Sequence, residues 1–224
     1  MMESSWTSVR TTFPCVPLPP NLYREPIRTE RLVIRPMRDD DLQAYHALRS
    51  QPEAMTGTSL GRPDRDIDES RSAMRAFLPP SDKRRFLFGA FLASTGELIG
   101  EGGVHTLSSS SCGWPEIGYK FRKEFWGQGY ATEFLRGFLQ AWWALPRCHT
   151  ELQVLPSSIR KPSGTEATEL IYASADVHNV GSRKVLEKLG FFQFSEWTEP
   201  DTQEHRLGQP LTLAGYRLSV GRML

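Results

Sequence analysis

Gly127 and Gly129 stand two apart at the junction of two differently patterned segments. Before them, Ile117, Tyr119 and Phe121 alternate with Gly118 and Lys120, the period of a strand. After them, Phe134, Leu135, Phe138, Leu139 and Trp142 recur at helical spacing, which predicts an amphipathic helix. A helix that starts here presents unpaired backbone N–H groups and the positive end of its dipole. Glycines let a phosphate reach that backbone with no Cβ in the way. The chemistry is anion binding, with a pyrophosphate as the favoured ligand; a plain tight turn is the alternative. Thr132 occupies the place of the third glycine of a dinucleotide fingerprint, and no Gly-Lys-Ser/Thr run makes a P-loop.

Asn179 and Ser182 lie three apart where a second strand gives way to a second helix. An asparagine amide there can bridge backbone groups or a ligand, or cap the helix. Val185, Leu186 and Leu189 supply the packing face of that helix, and Gly190 suits its C-terminal stop. Arg183 and Lys184 can reach phosphates or remain solvated.

The elements that must position these residues follow from the rest of the chain. Its 224 residues predict one domain with a substantial core. Residues 1–26 carry Pro14, Pro17, Pro19, Pro20 and Pro26 and read as an extended lead-in, mobile or draped over the domain, with Trp6, Phe13 and Tyr23 arguing for some docking. A strand over residues 29–37 stops at Pro36, and Asp39, Asp40 and Asp41 suit the start of a helix. A loop through residue 68, a helix over 67–78 and a hairpin turning at 94–97 come next. Residues 146–167, with Pro156, Pro162 and Gly164, read as a mobile surface loop, and strands are expected at 169–174, 191–197 and 211–220. The order predicts a mixed α/β (α+β) sheet.

Charge and cysteine usage narrow the class further. A formal net charge of +1 leaves no basic surface that asks for nucleic acid. Cys15, Cys112 and Cys148 are widely and irregularly spaced, which predicts neither a disulfide framework nor a zinc site and suits a reducing compartment. The longest apolar run, residues 86–93, is too short to span a bilayer, and no secretory pattern opens the chain. A soluble cytoplasmic protein, monomer or homodimer, with no membrane partner and no metal, is expected.

Trp126-Gly127-Gln128-Gly129-Tyr130-Ala131-Thr132-Glu133 and the stretch from Ala175 to Phe191 together resemble the GCN5-related N-acetyltransferase (GNAT) superfamily, in its ribosomal-protein-acetylase-like branch. The resemblance covers roughly residues 29–220. It implies a GNAT fold over residues 27–224 behind the 1–26 extension, with a mostly antiparallel sheet splayed around acetyl-CoA and flanked by helices, and it marks 146–167 as an insertion. It implies direct transfer of the acetyl group of acetyl-CoA, the co-substrate, to a primary amine of a small molecule or a peptide N-terminus. Tyr119, Phe121, Trp126, Gly127, Gln128, Gly129, Tyr130, Ala131, Thr132, Asn179 and Ser182 would bind the cofactor. Trp126 stands where the family usually has Arg or Gln, which removes one side-chain donor to the phosphates. Ser182 would protonate the departing thiolate, Asn179 would touch the pantetheine arm or an ordered water, and a backbone N–H of Tyr119 or Phe121 would polarise the thioester carbonyl. A carboxylate must free the amine nitrogen for attack. Glu116 is the first choice, with Glu101, Glu199 and Asp201 as alternatives. No cysteine sits in either motif, so no acetyl-enzyme is expected. A non-catalytic acyl-CoA-binding module is the rival reading, and a different nucleotide on Gly127 and Gly129 a third.

Overall fold

The segments of alternating character form strands and those of helical period form helices in a computed structural model that describes residues 6–159 and 166–221. In chain order these are β1 (Thr7–Pro14), β2 (Ile27–Arg28), β3 (Leu32–Arg35), α1 (Leu42–Arg49), α2 (Pro52–Met55), α3 (Ile67–Met74), β4 (Phe86–Leu92), β5 (Leu98–Thr106) and β6 (Glu116–Phe121). They continue with α4 (Tyr130–Ala144), β7 (Arg147–Val154), β8 (Leu170–Asp176), α5 (Val180–Lys188), β9 (Phe192–Pro200) and β10 (Pro210–Ser219). The acidic run begins α1 through a short 3-10 turn, where Asp41 accepts the Arg38 N–H and pairs with Arg35. Asp66 caps α3 by accepting the Glu69 N–H at 2.8 Å.

Eight strands make one sheet in the order β2-β3-β4-β5-β6-β8-β10-β9. Every neighbouring pair is antiparallel except β6 and β8, which run parallel. One face buries Phe86, Phe88, Ile117 and Phe121 under Phe134, Phe138 and Trp142 of α4 and Leu186 of α5. The other face sets Leu87 and Phe91 against Tyr45 and Leu48 of α1 and Met74 of α3. This is the mixed, mostly antiparallel sheet flanked by helices that the sequence predicts. Among the described residues, no helix is long and apolar enough to cross a membrane.

Two expectations are corrected at the chain's start and at the insertion. Residues 147–154 are not loop: β7 pairs antiparallel with β1 over its full length, from Thr7 opposite Val154 to Pro14 opposite Arg147. The rest of the expected loop includes residues 160–165, which lie outside the described residues. Thr7–Pro14 of the lead-in is therefore a strand that supplies the edge β7 needs, and Val9, Trp114, Val154, Leu170 and Tyr172 form a third apolar cluster there. The same pairing brings Cys15 and Cys148 into a disulfide across 133 residues, with Cα atoms 5.1 Å apart, whereas free thiols are what their spacing predicts. Only Cys112, buried, stays free among the three. Closing so long a loop restricts the unfolded chain, so Cys148→Ser should lower unfolding free energy by about 2–5 kcal/mol. A denaturant melt in non-reducing buffer reads this, and an unchanged midpoint would mean that the bond does not form in solution.

Candidate active site

The parallel pair β6 and β8 meets at a single register position, Glu116 opposite Tyr172, held by the Tyr172 N–H donating to the Pro115 carbonyl at 2.8 Å. Beyond that point the two strands have no paired residues. The direction of the free β6 groups follows from its other edge. Arg122 N–H donates toward β5, to the Ile99 carbonyl at 2.8 Å. Strand alternation then turns the N–H groups of Phe121 and Tyr119 the other way, into the opening between β6 and β8. The sheet thus presents two backbone donors to a cleft in its own middle.

The glycine loop lies at the end of that cleft. Gly127 and Gly129 both adopt left-handed backbone, with φ of 72° and 85°, which an L side chain rarely tolerates. A Cβ on Gly127 would meet nothing within 4 Å, so the loop opens outward. Gly129 is the N-cap of α4, and its carbonyl takes the first intrahelical bond, from the Glu133 N–H at 3.0 Å. Helix geometry leaves the N–H groups of Tyr130, Ala131 and Thr132 without an intrahelical acceptor. The donor set suits a pyrophosphate. Trp126, half-exposed, donates its indole N–H to the Phe121 carbonyl at 2.8 Å and ties the loop to the strand end. Gln128 donates its side-chain amide to the Glu124 carbonyl at 2.7 Å.

Arg31, which lies outside both sequence motifs, holds this loop in place. Its guanidinium donates to the Gln128 carbonyl at 3.0 Å, lies over the Tyr130 ring at 4.2 Å, and pairs with Glu133 at 2.7 Å. Glu133 also accepts from the Thr29 hydroxyl and the Arg31 backbone. Partial burial pulls the Glu133 carboxyl up, but these donors outweigh it and hold the group below its ordinary value. The signal was legible as an Arg three residues before Ile34 and a Glu on the first turn of the long helix, but nothing in the sequence joins segments 102 positions apart.

Asn179 and Ser182 sit across the cleft at the start of α5. Asn179 caps the helix, its side-chain oxygen accepting the Ser182 N–H at 3.0 Å. Its amide nitrogen faces the loop after α2, 3.6 Å from where a Cβ on Gly57 would stand. The Ser182 hydroxyl meets the Tyr119 hydroxyl at 2.9 Å, so one hydrogen bond bridges the two sides. Burial pushes the Tyr119 phenol up to about 12, against the pull of the Ser182 bond, so it stays protonated through the working range.

The four carboxylates occupy different situations. Glu101 is ion-paired with Lys120 and buried. Asp201 is buried at the tip of the β9–β10 hairpin, where it pairs with Arg206 at 3.2 Å. Glu199 is exposed and accepts the Trp197 indole N–H at 2.7 Å. Glu116 alone of the four stands where β6 and β8 meet. Its carboxylate accepts the Ser174 hydroxyl at 2.9 Å and lies 3.7 Å from the His105 imidazole, with its side chain 16% exposed against 46% for His105.

His105 sits where the register between β5 and β6 shifts, between Val104 and Thr106. Such an irregularity re-aims a side chain, and here the ring lies over Gly118, where a Cβ would come within 3.3 Å of Nδ1. Loss of water on that side lowers its pKa, against the attraction of Glu116 and Glu101 and together with repulsion from Arg85 and Lys120. The imidazole beside Glu116 is accordingly neutral at pH 7. Over this face, Gln203 of the hairpin donates to the Thr56 and Thr58 carbonyls at 2.8 and 2.7 Å, and Glu204 pairs with Arg62 at 3.3 Å. The loop after α2 is thereby joined to the β9–β10 hairpin.

The sequence matches the acetyltransferase (GNAT) domain family over residues 31–192. The chain belongs to that family. Among curated relatives, the uncharacterized N-acetyltransferase YoaA of Bacillus subtilis (strain 168) is 31% identical over 110 residues, 49% of this chain and 61% of the relative. The GNAT chain therefore spans less than two thirds of that relative's length. Among solved structures, a GNAT-family acetyltransferase from Bacillus anthracis superposes with a TM-score of 0.63 at 18% identity, covering 87% of this chain and 98% of that one. Mycobacterium smegmatis RimJ, in complex with CoA-disulfide, gives 0.60 at 17% identity over 84% of this chain and 82% of its own. At these identities the GNAT likeness is one of fold.

Proposed function

We propose that this chain is an acetyl-CoA-dependent N-acetyltransferase whose acceptor is a primary amine, acting as one domain over residues 27–224 with the β1 extension docked on it. The observation that carries the reading is the cleft between β6 and β8, with the Tyr119 and Phe121 N–H groups turned into it and the Gly127–Gly129 loop at its end. Family membership and the CoA-disulfide in the RimJ neighbour support the choice of ligand. The Trp126-Gly127-Gln128-Gly129-Tyr130-Ala131-Thr132-Glu133 run supports the ribosomal-protein-acetylase-like branch. A cytoplasmic setting goes with an acetyl-CoA donor.

Bound acetyl-CoA would supply an acetyl thioester. Its phosphates fit the free N–H groups of residues 127–132, with Trp126 and Gln128 fixing the loop that carries them. Tyr119 or Phe121 donates a backbone N–H to the carbonyl oxygen as negative charge builds on it. Glu116 takes a proton from the incoming ammonium, and the freed nitrogen lone pair forms the C–N bond. Ser174 and His105 hold the Glu116 carboxylate in place. As the C–S bond breaks, its electron pair leaves with sulfur. Ser182 gives that sulfur a proton and recovers one from Tyr119 through their hydrogen bond. The second ammonium proton and the one taken by Glu116 pass to solvent, and Tyr119 regains a proton from solvent, so the products are the N-acetyl amine and free CoA thiol.

Ser182→Ala and Tyr119→Phe should each lower kcat by about tenfold. This is less than the usual 10²- to 10⁴-fold effect of acid–base catalysis because a thiol of pKa about 8.5 leaves readily. Because the two hydroxyls share one bond, the double variant should lose little more than either single one. Additive losses would separate the two residues. The reading itself is tested by calorimetric titration with acetyl-CoA, followed by thiol release with an amine panel. Binding without turnover of any amine would favour the non-catalytic module. No binding by folded protein would remove both readings.

A further inference from the structure

The charges on the Glu116 face of the sheet are mostly matched. Lys120 pairs with Glu101, and Arg49 pairs with Asp64 at 2.5 Å. Two opposite charges remain. Glu116 has a hydroxyl and a neutral imidazole as neighbours, and Arg85, partly buried, makes no side-chain hydrogen bond or ion pair among the described residues. Arg85 shares this face: Phe86 beside it points into the α4 layer, and Leu87 points the same way as Arg85, toward α1 and α3. The register that sets Phe86 opposite Val104 sets Arg85 beside His105, and its charge acts on that imidazole. Strands lie about 4.8 Å apart, so Arg85 and Glu116, two strands removed, are about 10 Å apart across the sheet with His105 between them. Two long side chains of opposite sign at that spacing frame a small zwitterion.

We propose that the acceptor is an amine that also carries a carboxylate, an amino-acid-like molecule whose ammonium meets Glu116 and whose carboxylate meets Arg85. This rests on the acetyltransferase reading above and narrows it. A guanidinium partly withdrawn from water with no partner costs free energy that a bidentate carboxylate recovers. The same charge repels an acceptor with a second cationic end, so polyamines are disfavoured.

The test uses the full chain and a ladder of amines: glycine, β-alanine, 4-aminobutanoate and 5-aminopentanoate, each against the alkylamine of equal chain length, plus a dipeptide with an acidic side chain. Thiol release gives kcat/KM for wild type, Arg85→Gln and Arg85→Lys. For at least one length, the amino acid should exceed its alkylamine by about 10- to 100-fold. Arg85→Gln should bring that ratio toward one, and Arg85→Lys should restore part of it, since lysine keeps the charge but not the fork. Preference for the dipeptide with the same Arg85 dependence would keep the carboxylate and move its source to a peptide. A ratio near one in wild type, a ratio untouched by Arg85→Gln, or turnover of no member of the ladder would each overturn the proposal. Acetyl-CoA binding, measured in parallel, separates the outcomes: if it persists, only the acceptor assignment fails, and if wild type does not bind, the acetyltransferase reading fails first.

Discussion

Glu116→Gln should lower kcat/KM for the amine by about 10²- to 10⁴-fold while leaving acetyl-CoA affinity within about twofold. The substitution keeps the shape, and the glutamine oxygen still accepts the Ser174 hydroxyl, so the end of the β6–β8 cleft keeps its bond. What is lost is a group able to take the ammonium proton. The dependence on pH carries the sharper signature. As pH approaches the amine's own pKa, about 10, nitrogen deprotonates without help and the deficit should narrow. A deficit equally large at pH 7 and pH 10 would mean that Glu116 orients the acceptor rather than deprotonating it. The same substitution at Glu101 is expected to act differently, because it would leave the partly buried Lys120 without its partner and show as lost stability.

Gly129→Val should weaken acetyl-CoA binding by about 100-fold or more, equivalent to about 2.7 kcal/mol. The glycine has φ of 85°, and the nearest protein atom to an added Cβ is an Arg31 nitrogen at 3.5 Å. Space inside the protein is therefore adequate. The penalty comes from a β-branched residue in left-handed backbone, about 1–3 kcal/mol, and from side-chain bulk where the phosphates must approach. The melting temperature should fall with it, by about 2–4 °C per kcal/mol for a domain of this size. Calorimetry and a thermal melt on one preparation separate the two effects. Unchanged affinity with a lowered melting temperature would make Gly127 and Gly129 a structural turn only.

Local signals made half of this site legible in the sequence. The alternation through 117–121 and the helical period from Phe134 to Trp142 lie within single segments, and the strand, the glycine turn and the helix fell where those periods placed them. The hairpin of β4 and β5 and the cap of α5 at Asn179 are local in the same way. The contacts that complete the site are not. Tyr119 reaches Ser182 over 63 positions, and β1 finds β7 through a disulfide spanning 133. Prolines after residue 13 and an irregular cysteine spacing gave no sign that the lead-in is a strand with a waiting partner. His105 was hidden for another reason. Regular pairing beyond Val104 and Ile117 would set His105 directly opposite Glu116, but the register shift sets Thr106 there instead and brings the imidazole over Gly118, and neither the strand pairing nor the shift is written in local spacing. Arg31 and Gln203 act by holding loops in place, a role that leaves no spacing to read.

Hydrogen–deuterium exchange of the wild-type protein, with and without saturating acetyl-CoA, tests whether the β6–β8 cleft holds acetyl-CoA. Slowed exchange is expected at Tyr119 and Phe121, whose N–H groups face the cleft, at 127–132 in the glycine loop, and at 179–183 at the start of α5. Strands β3, β4 and β9 should change little. Protection confined to other segments, or none at all in a protein that is folded, would contradict the assignment of this cleft to acetyl-CoA.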